Sequence, residues 1–94
     1  VPLLDAGQAD VAEHFAIPDL TGEAQLAPFD HVRGGGPPLL QGSLGILLCE
    51  PHVRFEAGDH TVVVGHVTHV VDGAGHDPLL YVRQSYRGIG ERVR

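Results

Sequence analysis

Thr61-Val62-Val63-Val64-Gly65-His66-Val67-Thr68-His69-Val70-Val71 is β-branched almost throughout. Valine and threonine are stiff at χ1 and pack well on a pleated surface, so this stretch predicts a strand. The turn residues Ala57-Gly58-Asp59 precede it. Further upstream, residues 39–50 are nearly all apolar, broken by Gly42-Ser43 and Gly45. Continuous apolarity predicts a strand buried on both faces, as in a barrel, with a bulge or a close backbone approach at the glycines. Val53 and Phe55 then alternate with His52, Arg54 and Glu56, the pattern of a half-exposed edge. Asp72-Gly73-Ala74-Gly75 turns the chain again, Leu79 to Val82 predicts a third strand, and Arg87 to Arg94 reads as a tail.

Toward the N-terminus, residues 7–15 predict a short helix. Val11 and Phe15 are four apart and share a face with Ala12 beside them, Asp10 and Glu13 suit the start of the helix dipole, and Pro18 stops it. Residues 16–38 carry little periodicity and predict one long loop. Its Gly34-Gly35-Gly36 lacks a following Lys-Ser/Thr, so it reads as a connector and not as a phosphate loop. The expected sum is one helix, a long loop and three antiparallel strands in a meander. Three strands cannot close a barrel, so the piece needs the rest of its own chain or a partner.

At 94 residues the chain makes one small domain, and 43% apolar with 19% charged residues fits a globular one. No apolar run approaches the roughly 18–20 residues of a membrane span. The chain begins at Val1 with no signal-like leader and no initiator Met, and it contains no Lys, Asn or Trp. These features predict a fragment or a trimmed product. The net charge of −6 disfavours nucleic acid and anionic membrane surfaces, and leaves room for a small anionic ligand held by one or two arginines. Cys49 is the only cysteine, so an intrachain disulfide is impossible and the chain reads as cytoplasmic. Its apolar neighbours predict a buried core thiol.

Seven histidines raise the question of a metal. His60 and His66 share a strand face but stand about 20 Å apart at ~3.3 Å per residue, and His66 and His69 point to opposite faces. With no Cys-x-x-Cys and no helical His-x-x-x-His, no metal site is expected. His60 follows the Gly58-Asp59 turn and opens a strand, at a rim where its imidazole could donate to an anion or a carbonyl. A plain turn and strand start accounts for the same residues. Tyr81, Arg83, Tyr86 and Arg87 form a second cluster, with Tyr81 and Arg83 on one face of an extended segment. An aromatic face with a guanidinium suits a dinucleotide; an edge strand with a snorkelling arginine is the other reading.

Gly42-Ser43-Leu44, Cys49, the run from Gly58-Asp59-His60-Thr61 to Gly65, and Pro78-Leu79-Leu80-Tyr81-Val82-Arg83-Gln84-Ser85-Tyr86 occur in an order and spacing that resembles the flavin reductase-like, FMN-binding split-barrel family. The segment from Leu4-Asp5-Ala6-Gly7-Gln8 to Phe15-Ala16 is similar to that family's mid-chain helix. The resemblance runs from Leu3 to Ile89. It implies a mainly β, Greek-key-like split β-barrel with a short helix. Residues 1–94 would be the C-terminal portion of one such domain, lacking its N-terminal strands.

The resemblance also implies an activity: an NAD(P)H-dependent flavin reductase. Such an enzyme passes a hydride from NADH or NADPH to FMN or FAD and supplies reduced flavin to a partner monooxygenase, usually as a homodimer with its active site near the subunit interface. The alternative is a non-catalytic flavin-binding or interaction module. By position, His60 matches the histidine near the flavin and nicotinamide rings, with Asp59 its catalytic neighbour. Tyr81, Val82, Arg83 and Gln84 match the stretch that contacts the pyridine nucleotide, and Tyr86 the aromatic after it. Ala16 and Ile17 fall at the flavin contact after the helix. Ile17 and Pro18 are apolar where the family often has small polar or basic residues, and Gln84 stands where it commonly has Gly.

Overall fold

The computed structural model describes all residues, 1–94. Its elements are β1 (Pro2–Leu3), a 3-10 turn (Ala6–Gln8), α1 (Ala9–Phe15), α2 (Gly22–Leu26), β2 (His31–Val32), β3 (Leu39–Leu40), β4 (Gly45–Ala57), β5 (His60–Asp72), β6 (Leu80–Val82) and β7 (Ser85–Arg87). They form a three-stranded sheet in the order β1-β4-β5 and two separate two-stranded sheets, β2-β3 and β6-β7. All pairings are antiparallel.

The β-branched run becomes β5, whose partner β4 is also 13 residues long. The meander does not form. The third strand of the main sheet is the N-terminal β1, with Pro2 opposite Ile46 and Leu3 opposite Gly45. The expected strand at 79–82 instead pairs with Ser85–Arg87, a strand hidden in the presumed tail. The long-loop expectation also fails, because residues 22–26 form a helix. Thr21 caps it, its hydroxyl accepting from the Ala24 amide, and Glu23 sits in the first turn. A single turn this short shows no apolar periodicity, which is why pattern reading passes over it.

Residues 39–50 are not one strand buried on both faces. Leu39–Leu40 ends at the turn around Gly42, which has φ +87, and β4 starts at Gly45. Only the base of β4 meets the core. Val11, Leu40, Ile46 and Ser43 are the four buried residues. β1 covers no more than the first residues of β4, and register shifts follow at Leu48/Cys49 and Pro51/Val53. Pro51 fits there because one edge of the strand is free and the ladder is already broken. Cys49 lies at the first of these shifts and is exposed, not the core thiol expected from its neighbours. The outer hairpin shows apolar side chains on both faces, with Val53, Phe55, Val63, Val64, Val67 and Val70 all exposed.

Asp5 organises the base of the sheet. It caps the 3-10 turn in a reciprocal capping box: its carboxylate accepts from the Gly7 amide at 2.8 Å while its own amide donates to Gln8 Oε1 at 2.9 Å. The second carboxylate oxygen accepts from the His76 amide at 2.9 Å and the Asp77 amide at 3.3 Å. Backbone bonds extend the seam, from Ala6 N–H to Asp77 O at 2.7 Å and from Leu79 N–H to Leu4 O at 2.9 Å. Gln8 Nε2 donates to Gln41 O at 3.0 Å. One side chain therefore ties the 3-10 turn to the 76–79 segment, and its neighbour Gln8 ties in the turn before β4. Glycine is required where the turn after β5 meets the turn before β4: a Cβ on Gly73 would lie 2.0 Å from Ser43 O.

Those amide donors, Gly7 first, then His76 and Asp77, hold the Asp5 carboxyl below its ordinary 3.8. A lowered folded-state value means that the stabilisation is fully present above the ordinary value and is lost as pH falls through the folded one. Asp5→Asn should therefore flatten the acid limb of the stability curve: urea unfolding followed from pH 5 down to pH 2 should show a shallower loss than in the parent sequence. A Gly73→Ala substitution should destabilise by about 1–3 kcal/mol or more through the backbone clash, whereas Gly22→Ala, with nothing within 4 Å, should be neutral or mildly stabilising in the same unfolding assay.

Candidate functional site

Two hairpin tips carry the candidate residues. The first is Gly58-Asp59 at the far end of the β4–β5 hairpin, where Ala57 pairs with His60. Gly58 takes φ +64, as the first central residue of a two-residue type II′ turn demands. His60 Nε2 lies 3.3 Å from Asp59 Oδ1, and the two side chains are 82% and 94% exposed. The pair stands free in solvent. It can present a ring nitrogen to an anion or a carbonyl, and little in the chain holds it in place.

The second tip is Arg83-Gln84 between β6 and β7. Leu80 pairs with Arg87, Tyr81 with Tyr86 and Val82 with Ser85. Arg83 has φ +51 and Gln84 φ +61. Two left-handed central residues make a type I′ turn, which matches the twist of the flanking strands and normally takes Asn-Gly. The expectation that Tyr81 and Arg83 share one face of an extended segment is therefore wrong, because Arg83 has left the strand. Tyr81 instead meets Tyr86 across the ladder, with ring centroids 5.0 Å apart at 46°. Tyr81 is 64% exposed, leaving aromatic surface available for stacking. Arg83 and Gln84 are exposed, and neither side chain has a hydrogen-bond or ion-pair partner within the chain. The left-handed conformation costs each of these non-glycine residues roughly 1–2 kcal/mol.

No hydrogen bond or ion pair joins the two tips. The Asp5 seam fixes where the second hairpin begins, since Asp5 bridges to Pro78 two residues before β6. Asp5 was not among the residues singled out from the sequence. Its signal was there in Asp5-Ala6-Gly7-Gln8, an acceptor followed three residues later by glutamine ahead of an apolar helix.

Ala16 caps α1, its amide donating to Ala12 O at 3.1 Å, and both it and Ile17 are exposed. The neighbouring cavity of about 420 Å³ is lined instead by Phe15, Val11, Leu26, Leu40 and other apolar groups. α1 and α2 meet beside it through His14, whose Nε2 lies 2.9 Å from Ala24 O and whose ring meets Phe29 edge-on at 5.3 Å. No group of three His, Cys, Asp or Glu side chains is close enough to hold a metal ion. No helix is long and apolar enough to cross a membrane.

Since the Asp59–His60 pair is solvated, Asp59→Ala and His60→Ala should each leave stability within about 0.5 kcal/mol of the parent sequence in urea unfolding. A loss several times larger would mark the tip as a packed structural element.

Comparison with known proteins gives the geometry a context. A family model described as flavin reductase like domain matches residues 1–90. The chain is similar to the reductase component of 4-hydroxyphenylacetate 3-monooxygenase from Thermus thermophilus, at 37% identity over 89 residues, covering 95% of this chain and 53% of that protein. It is also similar to an NADH-dependent FAD reductase from Streptomyces globisporus, at 33% identity, covering 93% of this chain and 50% of that one. Among solved structures it resembles the Streptomyces globisporus NADH:FAD oxidoreductase SgcE6 in complex with NAD and FAD fragments. There the TM-score is 0.83 at 29% identity, over 99% of this chain and 56% of that one. The chain thus spans about half the length of the curated relatives it matches. The expected split-barrel fold is met: mainly β with two short helices, its sheets not closed.

Proposed function

Because this chain belongs to the flavin reductase like domain family, we propose that residues 1–94 are the C-terminal portion of a single split-barrel domain whose whole is an NAD(P)H-dependent flavin reductase. The match across residues 1–90 is the observation that carries this reading. The relatives' names support a reduced flavin delivered to a partner monooxygenase, with FAD or FMN as the flavin and NADH as the hydride donor; NADPH as the donor belongs to the proposal without such a name behind it. A homodimer and a cytoplasmic location belong to the same proposal. The apolar outer hairpin is a surface for a second copy or for the remainder of a longer chain to cover.

When bound, the two cofactors supply the redox chemistry, a hydride passing from nicotinamide to flavin. The chain's own residues have the simpler task of binding and aligning. Tyr81 offers an exposed ring to stack on, with Tyr86 behind it. Arg83, free of any partner in the chain, offers a guanidinium fork for a phosphate, with Val82 and Gln84 beside it. His60 can donate from its ring to a carbonyl or an anion, and Asp59, 3.3 Å away, would orient the ring once a bound ligand shields the pair from solvent. Ala16 and Ile17 would contribute apolar contact on the flavin side. The residues present therefore fit a dinucleotide: flat surface, one fork and one orientable donor, with no acid–base pair needed.

The test is kinetic. The full-length protein mixed with NADH and FMN or FAD should lose absorbance at 340 nm only when flavin is present. Arg83→Ala should raise the KM for NADH about tenfold, the loss expected for one charge-assisted hydrogen bond, and His60→Ala should lower kcat. Activity unchanged by both substitutions would overturn the site assignment and favour a non-catalytic module.

A further inference from the structure

The register sorts the side chains of the β4–β5 hairpin between two faces. Residues paired across an antiparallel ladder point to the same side, and successive pairs alternate between sides. Counting outward from Ile46–Val71, the pairs Val53–Val64 and Phe55–Val62 fall on the face whose base is the buried Ile46. The opposite face carries Leu47 with Val70, Cys49 with Val67, and Arg54 with Val63. Val63, Val67 and Val70 are all exposed there. Gly65 lies in the middle of this second face, where a Cβ would come 3.0 Å from Cys49 Cβ. The centre of the face is therefore low as well as apolar, a shape that lets another sheet approach closely.

Two charges bracket the patch. Arg54 lies five residues beyond Cys49 along β4, and Asp72 lies five residues from Val67 along β5, each path crossing one register shift. Both therefore stand about 15 Å from the Cys49–Val67 pair, at opposite ends, at ~3.3 Å per residue. Both are exposed, and neither has an ion-pair or hydrogen-bond partner within the chain. We propose that two copies of the chain meet on this face, with strands antiparallel, about a two-fold axis crossing the strands at Cys49 and Val67. That axis maps the patch onto itself, as an isologous interface requires. Cys49 meets Cys49, and Arg54 of each copy comes over the Gly45–Asp72 pair of the other, within reach of its carboxylate. With strands parallel, Arg54 would face Arg54 and Asp72 would face Asp72, which like-charge repulsion disfavours. The other face, continuous with buried Ile46, is left to the remainder of a longer chain such as the relatives have. The inference rests on the homodimer of the reading above and gives it a surface. Association alone tests it, so a failure of the reductase reading leaves it standing.

The experiment follows the full-length protein by sedimentation equilibrium at micromolar concentration. The parent should be a dimer. Arg54→Asp and Asp72→Arg should each weaken dimerisation by about tenfold in Kd, because each sets like charges together at both ends of the interface. The two substitutions combined should bring Kd back to within about threefold of the parent. Both positions are exposed, so circular dichroism should show the fold unchanged. In the unmutated protein a short bismaleimide should link the two copies, and Cys49→Ser should abolish the link. A monomeric parent overturns the proposal, as does a face covered by the chain's own remainder that leaves Cys49 unreactive. So does a dimer that the single charge reversals leave intact, that the combined variant does not restore, or that cross-links equally well without Cys49.

Discussion

A single carboxylate sets the frame on which both hairpins hang. Asp5 accepts from Gly7 on one side and from His76 and Asp77 on the other, so three backbone donors from two distant segments converge on one side chain. In a chain with four buried residues, apolar packing cannot specify the join between the N-terminal segment and the 73–79 loop. Polar geometry does it instead. The seam also excludes side chains: Gly73 lies against Ser43 and Leu44, and Gly75 against Asp5 and Leu44. From this fixed base, β4 and β5 run outward to Asp59-His60, and the β6–β7 hairpin leaves just after Pro78.

The consequence is a division between a well-joined base and apolar surfaces left open. Beyond Leu48 no third strand pairs with the long hairpin, and the cavity beside α1 and α2 is walled largely by apolar groups. Exposed Val, Phe and Leu at this density are surfaces made to be covered. The curated relatives are about twice as long as this chain. The tips that carry the candidate residues are the opposite case. They are polar, exposed and held only by their own turns, as suits groups that meet a diffusing ligand.

Much of the fold was readable in the residues because its signals are local. The β-branched run announced β5, the alternation at Val53 and Phe55 announced the outer half of β4, and Val11 with Phe15 announced α1. What escaped was non-local or very short. No periodicity tells that Pro2–Leu3 pairs with Gly45–Ile46, and a five-residue α2 has too few positions to show a face. Ser85–Arg87 was hidden because its turn is Arg-Gln and not the Asn-Gly that marks such hairpins. Cys49 was misplaced for a related reason: apolar neighbours indicate burial only while another strand covers them. The family resemblance came through because the Gly58-to-Gly65 and Pro78-to-Tyr86 runs are contiguous. The role of Asp5 did not, because two of its three carboxylate partners lie more than 70 residues away.

In the proposed function the hairpin at 80–87 faces the nucleotide, and the tip at 59–60 contributes to the same site. The most direct measurement is the NMR spectrum of the full-length protein, ¹⁵N-labelled and titrated with NAD+ in the presence of flavin. The amides of Tyr81, Val82, Arg83, Gln84 and Tyr86 should shift together along one saturating binding curve, with His60 following, while the Gly7, His76 and Asp77 amides of the Asp5 seam stay fixed. Saturable binding that moves other amides and leaves residues 80–87 unperturbed would contradict the account.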